Sequence, residues 1–280
     1  MKVLYTFAAA AAVLLLSGCS KAIDYIRDNP NGVLKQCQVQ TLQVNSDNAG
    51  FVNVDYNAAG NPTDMLYHFF DSTGPASPSA VDNHFRYDKR NRLTDYLQNY
   101  VFGIFGVQPG AVTWDRYSYP RANIVVDSFF TYGDMLITDP NPPISSFDYI
   151  RIFQLDGEGR ITKITQGSGP GSVTSFSYDR NGNLVIPGVT YDSTVNPYRT
   201  NATWMFVFQN YSVNNPHAQS EYGPLLSYSD LNPFGLPQVI APLVSGGGGY
   251  LFGNDFYQLN ITYACSCAAP SLKGPPAGGL

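Results

Sequence analysis

The chain has 280 residues, 16 Lys and Arg against 21 Asp and Glu, a net charge of −5, and only 13% charged residues. Nothing basic is concentrated enough to grip a nucleic acid, so that partner class is excluded. With 20 Tyr, 17 Phe, 26 Gly and 20 Pro but no long Ala/Leu/Glu/Lys runs, the composition points away from long helices and toward an all-β exported protein.

Met1-Lys2 is a short basic start, and Val3 to Leu16 then runs without a charge to small residues at Ser17 and Gly18. This reads as a secretory signal over residues 1–18 and not as a retained span. The ending Leu16-Ser17-Gly18-Cys19 resembles the bacterial lipobox. That resemblance implies that Cys19 becomes the lipid-bearing N-terminus and attaches the protein to a membrane, several acyl chains holding far more firmly than one. Ser20 follows, and by the enterobacterial sorting pattern a residue other than Asp there implies the outer membrane. Its periplasmic face and the cell surface both stay open.

Residues 19–32 read as a tether, and residues 33–267 as a single antiparallel β domain. Cys37 to Val44 alternates, with Thr41-Leu42 shifting the apolar face as a bulge would. Phe51–Tyr56 and Thr63–Asp71 flank a first hairpin turn, with Met65, Tyr67 and Phe69 on one face. After a Ser/Pro/Gly loop at Ser72–Ala80, His84–Tyr87 and Leu93–Val101 make a second hairpin. Val101 to Gly110 is an apolar loop folding back over the core. Thr113–Tyr119 and Asn123–Tyr132 pair around Pro120, and a Pro-rich connection at Asp134–Ser146 leads into Phe147–Leu155. In that strand Phe147, Tyr149, Arg151 and Phe153 alternate with Ile150 and Ile152, so both faces are expected to be covered.

Ile161–Gln166, Val173–Tyr178 and Leu184–Asp192 continue the meander. The C-terminal third is loop-rich: Asn196, Asn215 and Asn232 each precede a Pro, and Trp204–Asn210 is a buried strand or a short helix, which periodicity cannot decide. Tyr257, Leu259, Ile261, Tyr263, Cys265 and Cys267 alternate in a closing strand, and residues 268–280 form a disordered tail. The predicted fold is a large twisted antiparallel meander of hairpins, either open or curled into an open barrel.

One phrase recurs along the chain. Phe176 to Leu184 sets an aromatic pair at alternate positions before Asp179 and then Asn181-Gly182, the residues that tolerate tight-turn backbone. Val54–Pro62, Phe85–Leu93, Phe153–Ile161 and, more divergently, Val189–Pro197 follow the same template at irregular spacing. FRYDKRNRLTDY (from Phe85) and FSYDRNGNL (from Phe176) resemble the YD repeat of RHS-type proteins. The wider layout resembles uncharacterised lipoproteins of the Bacteroidota: lipid-anchor signal, early Cys-bearing strand, scattered YD hairpins, the Tyr191–Pro197 stretch and Asn214-Asn215-Pro216. Neither resemblance implies an activity or a cofactor, and these copies are too few to wall off a shell.

Site chemistry is sparse. Cys37 could bridge Cys265 or Cys267, stapling the ends of the domain, or all three could be reduced core residues; Cys265 and Cys267 lie too far apart on an extended strand to bridge each other. His68, His84 and His217 show no metal-ligand spacing, and no metal or cofactor is expected. Asp179-x-Asn181-x-Asn183 mimics the opening of a calcium loop but lacks its Gly and distal Glu, so turn chemistry accounts for it. Asp127, Asp134 and Glu221 look like ordinary surface acids. Trp114 and Trp204 are the candidate stacking residues for a glycan, set against core packing as the other account of them. The chain therefore reads as a lipid-anchored envelope protein with a non-catalytic binding or structural role. Its partners would be the membrane, through Cys19, and an envelope protein or a glycan. A glycan-binding surface lipoprotein and a hydrolase with a dispersed site are the alternatives.

Overall fold

The computed structural model describes residues 32–45, 50–70, 81–100, 112–132, 147–167, 171–217, 225–243 and 249–266. The signal, Cys19 and tether, the Val101–Gly110 and Asp134–Ser146 segments, Glu221, Cys267 and the tail lie outside them. The strands are β1 (Cys37–Asn45), β2 (Gly50–Tyr56), β3 (Pro62–Phe69), β4 (Val81–Tyr87), β5 (Leu93–Tyr100), β6 (Val112–Arg121), β7 (Ile124–Tyr132), β8 (Phe147–Leu155), β9 (Ile161–Gln166) and β10 (Ser172–Ser175), followed by β11 (Thr190–Val195). A 3-10 turn (Pro197–Thr200) leads into the helix α1 (Ala202–Val207), then come β12 (Asn214–His217), β13 (Leu226–Leu231), β14 (Pro237–Pro242), β15 (Gly249–Leu251), β16 (Asn254–Phe256) and β17 (Gln258–Cys265).

The fold is all-β and antiparallel. Thirteen strands form one sheet in the order β10-β9-β8-β7-β6-β5-β4-β3-β2-β1-β17-β14-β13, and β10 and β13 do not pair, so the sheet is not a closed barrel. The pairs β11–β12 and β15–β16 stand as separate two-stranded sheets. Consecutive strands are neighbours from β1 to β10, which is what hairpin phrases in series produce, and the closing strand β17 returns to lie against β1.

The sheet curves around α1. Phe85 of β4 meets Trp204 edge-on at 5.3 Å, while Tyr117 of β6 and Phe153 of β8 meet Phe206 at 5.2 and 5.4 Å. Strands lie about 4.8 Å apart, so β4 and β8 are separated by roughly 19 Å along a flat sheet; only a concave surface lets both reach one six-residue helix. This inner face carries the main core, including Val39, Val52, Met65, Phe85, Tyr117 and Ile161.

α1 forms because Asn201 caps it, its Oδ1 accepting from Thr203 N at 2.9 Å. It ends in a Schellman motif, with Gln209 N donating to Phe206 O at 3.2 Å and Asn210 N to Met205 O at 3.0 Å.

The recurring phrase is a five-residue turn. In each copy the first residue's N–H donates to the fifth residue's carbonyl, the fourth N–H donates back to the first carbonyl, and the first side chain's Oδ1 accepts from the third and fifth N–H groups. Copies start at Asn57, Asp88, Asp156, Asp179 and Asn232. The fourth position is left-handed every time: Gly60, Asn91, Gly159, Gly182 and Gly235. Val189–Pro197, expected as a fifth hairpin, is not one. Asp192 Oδ1 does accept from Thr194 N at 2.9 Å, but the fourth position is Val195, whose branched Cβ resists left-handed backbone; the segment runs on as β11.

Tyrosines tie neighbouring hairpins together. Tyr87, Tyr119, Tyr178 and Tyr263 donate their hydroxyls to the carbonyls of Pro62, Leu93, Ile161 and Pro237 at 2.7–2.9 Å. Each acceptor is the first residue after one of the turns. Arg92 and Arg160, ion-paired within their own turns to Asp88 and Asp156, lie over the rings of Tyr119 and Tyr178 at 4.6 and 4.2 Å.

Several local expectations are corrected. The β1 bulge leaves Gln40 as the extra residue, because Val39 pairs with Tyr263 and Thr41 with Thr262. Pro120 does not end its strand: it sits in a bulge between Ser118 and Arg121, where no ladder N–H is required of it. Ile150 and Ile152 are 39% and 38% exposed, so β8 is covered on its inner face only. The expected strands at Val173–Tyr178 and Leu184–Asp192 shrink to β10, a single Tyr178–Leu184 bridge and β11.

Candidate functional site

Three charged residues meet on the inner face of β6, β7 and β8. Asp115, Asp127 and Arg151 lie in phase with Tyr117, Val125 and Phe153, and the register sets Asp127 directly opposite Arg151. Arg151 Nε donates to Asp127 Oδ2 at 2.6 Å and its Nη2 donates to Asp115 Oδ1. The side chain of Asp127 is fully buried, Asp115 is 7% exposed and Arg151 19%. Asp127 is thus no surface acid, which corrects the reading from sequence. A lone charge here would be costly, and the guanidinium between two carboxyls is what makes the burial tolerable.

Burial, and after it the charge of Asp127, raise the Asp115 carboxyl from 3.8 to about 7. Burial likewise raises Asp127, opposed by the charge and hydrogen bond of Arg151. Asp127 Oδ1 has no hydrogen-bond partner within the described structure, so the burial of this carboxyl rests on Arg151 at Oδ2. The cluster is therefore a guanidinium, a carboxylate and a carboxyl that gives up its proton near neutrality.

Above it opens a cleft of about 310 Å³. Its floor is Tyr96, Gln98, Asp115, Tyr117, Phe129, Arg151 and Phe153 from β5–β8; its opposite wall is Phe206 to Gln209 at the end of α1, with Tyr250 from β15. Fully buried Asn83 orders the polar side, its Oδ1 accepting from Tyr96 Oη at 2.8 Å and Gln98 Nε2 at 3.2 Å. Phe129 stacks on Tyr149 at 4.7 Å beside the cluster. Phe252 anchors the hairpin that carries Tyr250, packing at 4.8–5.9 Å against Tyr198, Trp204 and Phe208. It does so in a left-handed conformation (φ 50°).

The tryptophans named from sequence do not form the site. Trp204 is wholly buried in α1 and Trp114 is 1% exposed on the opposite face of the sheet, its indole N–H donating to Asp95 at 2.8 Å. Neither offers a ring face to a ligand. Cys37 stands opposite Cys265 in the β1–β17 ladder and forms a disulfide with it. His84 pairs with Asp64 at 2.7 Å, and exposed His68 stacks on Phe51 at 4.9 Å, both away from the cleft. Asp179 serves its turn, as do Asn181 and Asn183 through their backbone N–H groups.

Chemically the arrangement offers planar polar groups beside aromatic rings and one exchangeable proton. Both carboxyls are held by Arg151, which favours recognition over attack on a bond. No protein-family model matches the chain, and no curated protein matches it.

Proposed function

We propose that the protein is a lipid-anchored cell-envelope protein, tethered at the outer membrane through Cys19, with a non-catalytic binding role exercised by the inner-face cleft. The observation that carries the binding role is the convergence of Arg151, Asp115, Gln98 and Tyr96 with the rings of Phe129, Phe208 and Tyr250 around one concavity, the pattern of a small-molecule site. The anchor rests on the Leu16–Cys19 ending.

A hydrolase is the second reading, favoured by one observation: Asp115 lines the cleft and keeps a proton near pH 7, as a general acid would. Turnover separates the two: a hydrolase cleaves the compound it takes up and loses that cleavage on Asp115→Asn, whereas a binding protein returns its ligand chemically unchanged. For the main reading, the full-length protein in detergent is screened by thermal shift against small molecules extracted from cell envelopes. A ligand that raises the melting temperature of the native chain but not of a Tyr250→Ala variant supports the cleft; stabilisation that ignores Tyr250 counts against it. Cys19→Ala should move the protein from the membrane to the soluble fraction, and retention in the membrane would refute the anchor.

A further inference from the structure

We propose that the cleft takes a single neutral sugar ring, packed against Phe129, Phe208 and Tyr250 and hydrogen-bonded at its edge by Arg151, Asp115 and Gln209. This assignment rests on the reading of the cleft as a ligand site and gives that ligand a chemical class.

Charge excludes anions first. Arg151 is the cation lining the cleft among the described residues, and it already serves two carboxyls at Nε and Nη2. A phosphate or carboxylate ligand would have to compete with Asp115 and Asp127 for it. A wholly apolar ligand fits no better, because it would leave Asp115, Gln98 and Arg151 facing it without water. A ring with apolar C–H faces and hydroxyls around its rim satisfies both kinds of wall. The volume of about 310 Å³ lies at the lower end for small-molecule sites, which suits one ring.

The backbone gives an independent sign. The C′ position of α1's Schellman motif is left-handed and is ordinarily Gly; here it is Gln209, at φ 51°. A side chain at that position strains the backbone where Gly would not, and the residue that carries the strain is one that lines the cleft. A carboxamide, donor and acceptor at once, is suited to sugar hydroxyls.

The test is calorimetric titration of the full-length protein in a polyoxyethylene detergent, since alkyl-glycoside detergents would compete. The probes are glucose, galactose, mannose, N-acetylglucosamine and cellobiose, with glucuronic acid, glucosamine and indole as comparators. At least one neutral sugar should saturate a single site, and Tyr250→Ala and Gln209→Gly should each weaken it about tenfold or more. Both variants should fold: Tyr250 is 57% exposed, and Gly is the ordinary residue at the Gln209 position. Failure of every neutral sugar to saturate, or affinity unchanged in both variants, overturns the assignment. Saturable binding of indole or glucuronic acid that Tyr250→Ala abolishes also overturns it, while leaving the cleft as a ligand site.

Discussion

Replacing Asp115 with Asn should remove a stability penalty that the native protein carries above neutral pH. The carboxyl is raised from 3.8 in the unfolded chain to about 7 in the fold. Its contribution to stability is therefore fully present below about pH 4 and is lost as the pH rises toward 7, where the native state must release a proton from a buried site. At about 1.36 kcal/mol per pH unit, that loss amounts to up to about 4 kcal/mol across the window. Asn does not titrate and keeps an oxygen for Arg151 Nη2. Asp127 is raised as well, whereas Asp64 and Asp88 are lowered by His84 and by hydrogen bonds from the Arg90–Arg92 turn. Asp64 and Asp88 titrate alike in both proteins and cancel in the difference, whereas Asp127, which interacts with Asp115, does not cancel and sets the width of the expected range. Guanidinium unfolding at pH 4.5, 6 and 8 should find the two proteins within about 1 kcal/mol at the lowest pH. At pH 8 the variant should be more stable by roughly 2–4 kcal/mol. A difference that stays constant across this range would mean that Asp115 does not change its proton on folding, and the account of a raised, buried Asp115 carboxyl would be wrong.

Other perturbations test separate parts of the structure. The Cys37–Cys265 bridge closes a sequence separation of 228 residues, for which chain entropy gives about 5 kcal/mol. The double Ala variant should melt roughly 10 °C or more lower, and an unchanged melting point would contradict the bridge. Tyr119→Phe removes the hydroxyl on Leu93 O and should cost about 1 kcal/mol; a neutral result in chemical denaturation would show that the hydroxyl ties add nothing. Gln209→Gly should stabilise the unliganded protein by up to about 1 kcal/mol by relieving left-handed strain, and a lower melting temperature would show that the side chain supports the fold instead.

The hairpin order, the closing strand and the class of fold were legible because each rests on local chemistry. A turn needs Asn or Asp at its first position and a left-handed residue at its fourth, and both lie within five residues of sequence. The Val189–Pro197 misreading has the same origin: Tyr191-Asp192 matched, but the position that decides the turn is Val195. The Asn232 turn is hidden because neither Ser229 nor Leu231 is aromatic, so the strand half of the phrase is missing, although Gly235 occupies the decisive place. Asp115, Asp127 and Arg151 were hidden for a different reason. They belong to three strands, and only pairing brings them together. A signal was nonetheless present, since each shares the phase of buried or aromatic neighbours two residues away: Asp115 with Tyr117, Asp127 with Val125 and Phe129, Arg151 with Tyr149 and Phe153. A charge on the apolar phase of a strand is costly unless partnered, and three such charges of mixed sign point to one cluster. Trp114 and Trp204 stood between platform and core because ring size alone does not distinguish the two, and their burial places both in the core.

The most direct test of a ligand site on the inner face is hydrogen exchange of the full-length protein with and without a ligand found by the screen or the sugar panel. Protection concentrated in residues 113–117, 149–153, 206–209 and 249–251 is the predicted result. Protection absent from these segments, or confined to the β13 and β10 edges of the sheet, would contradict it.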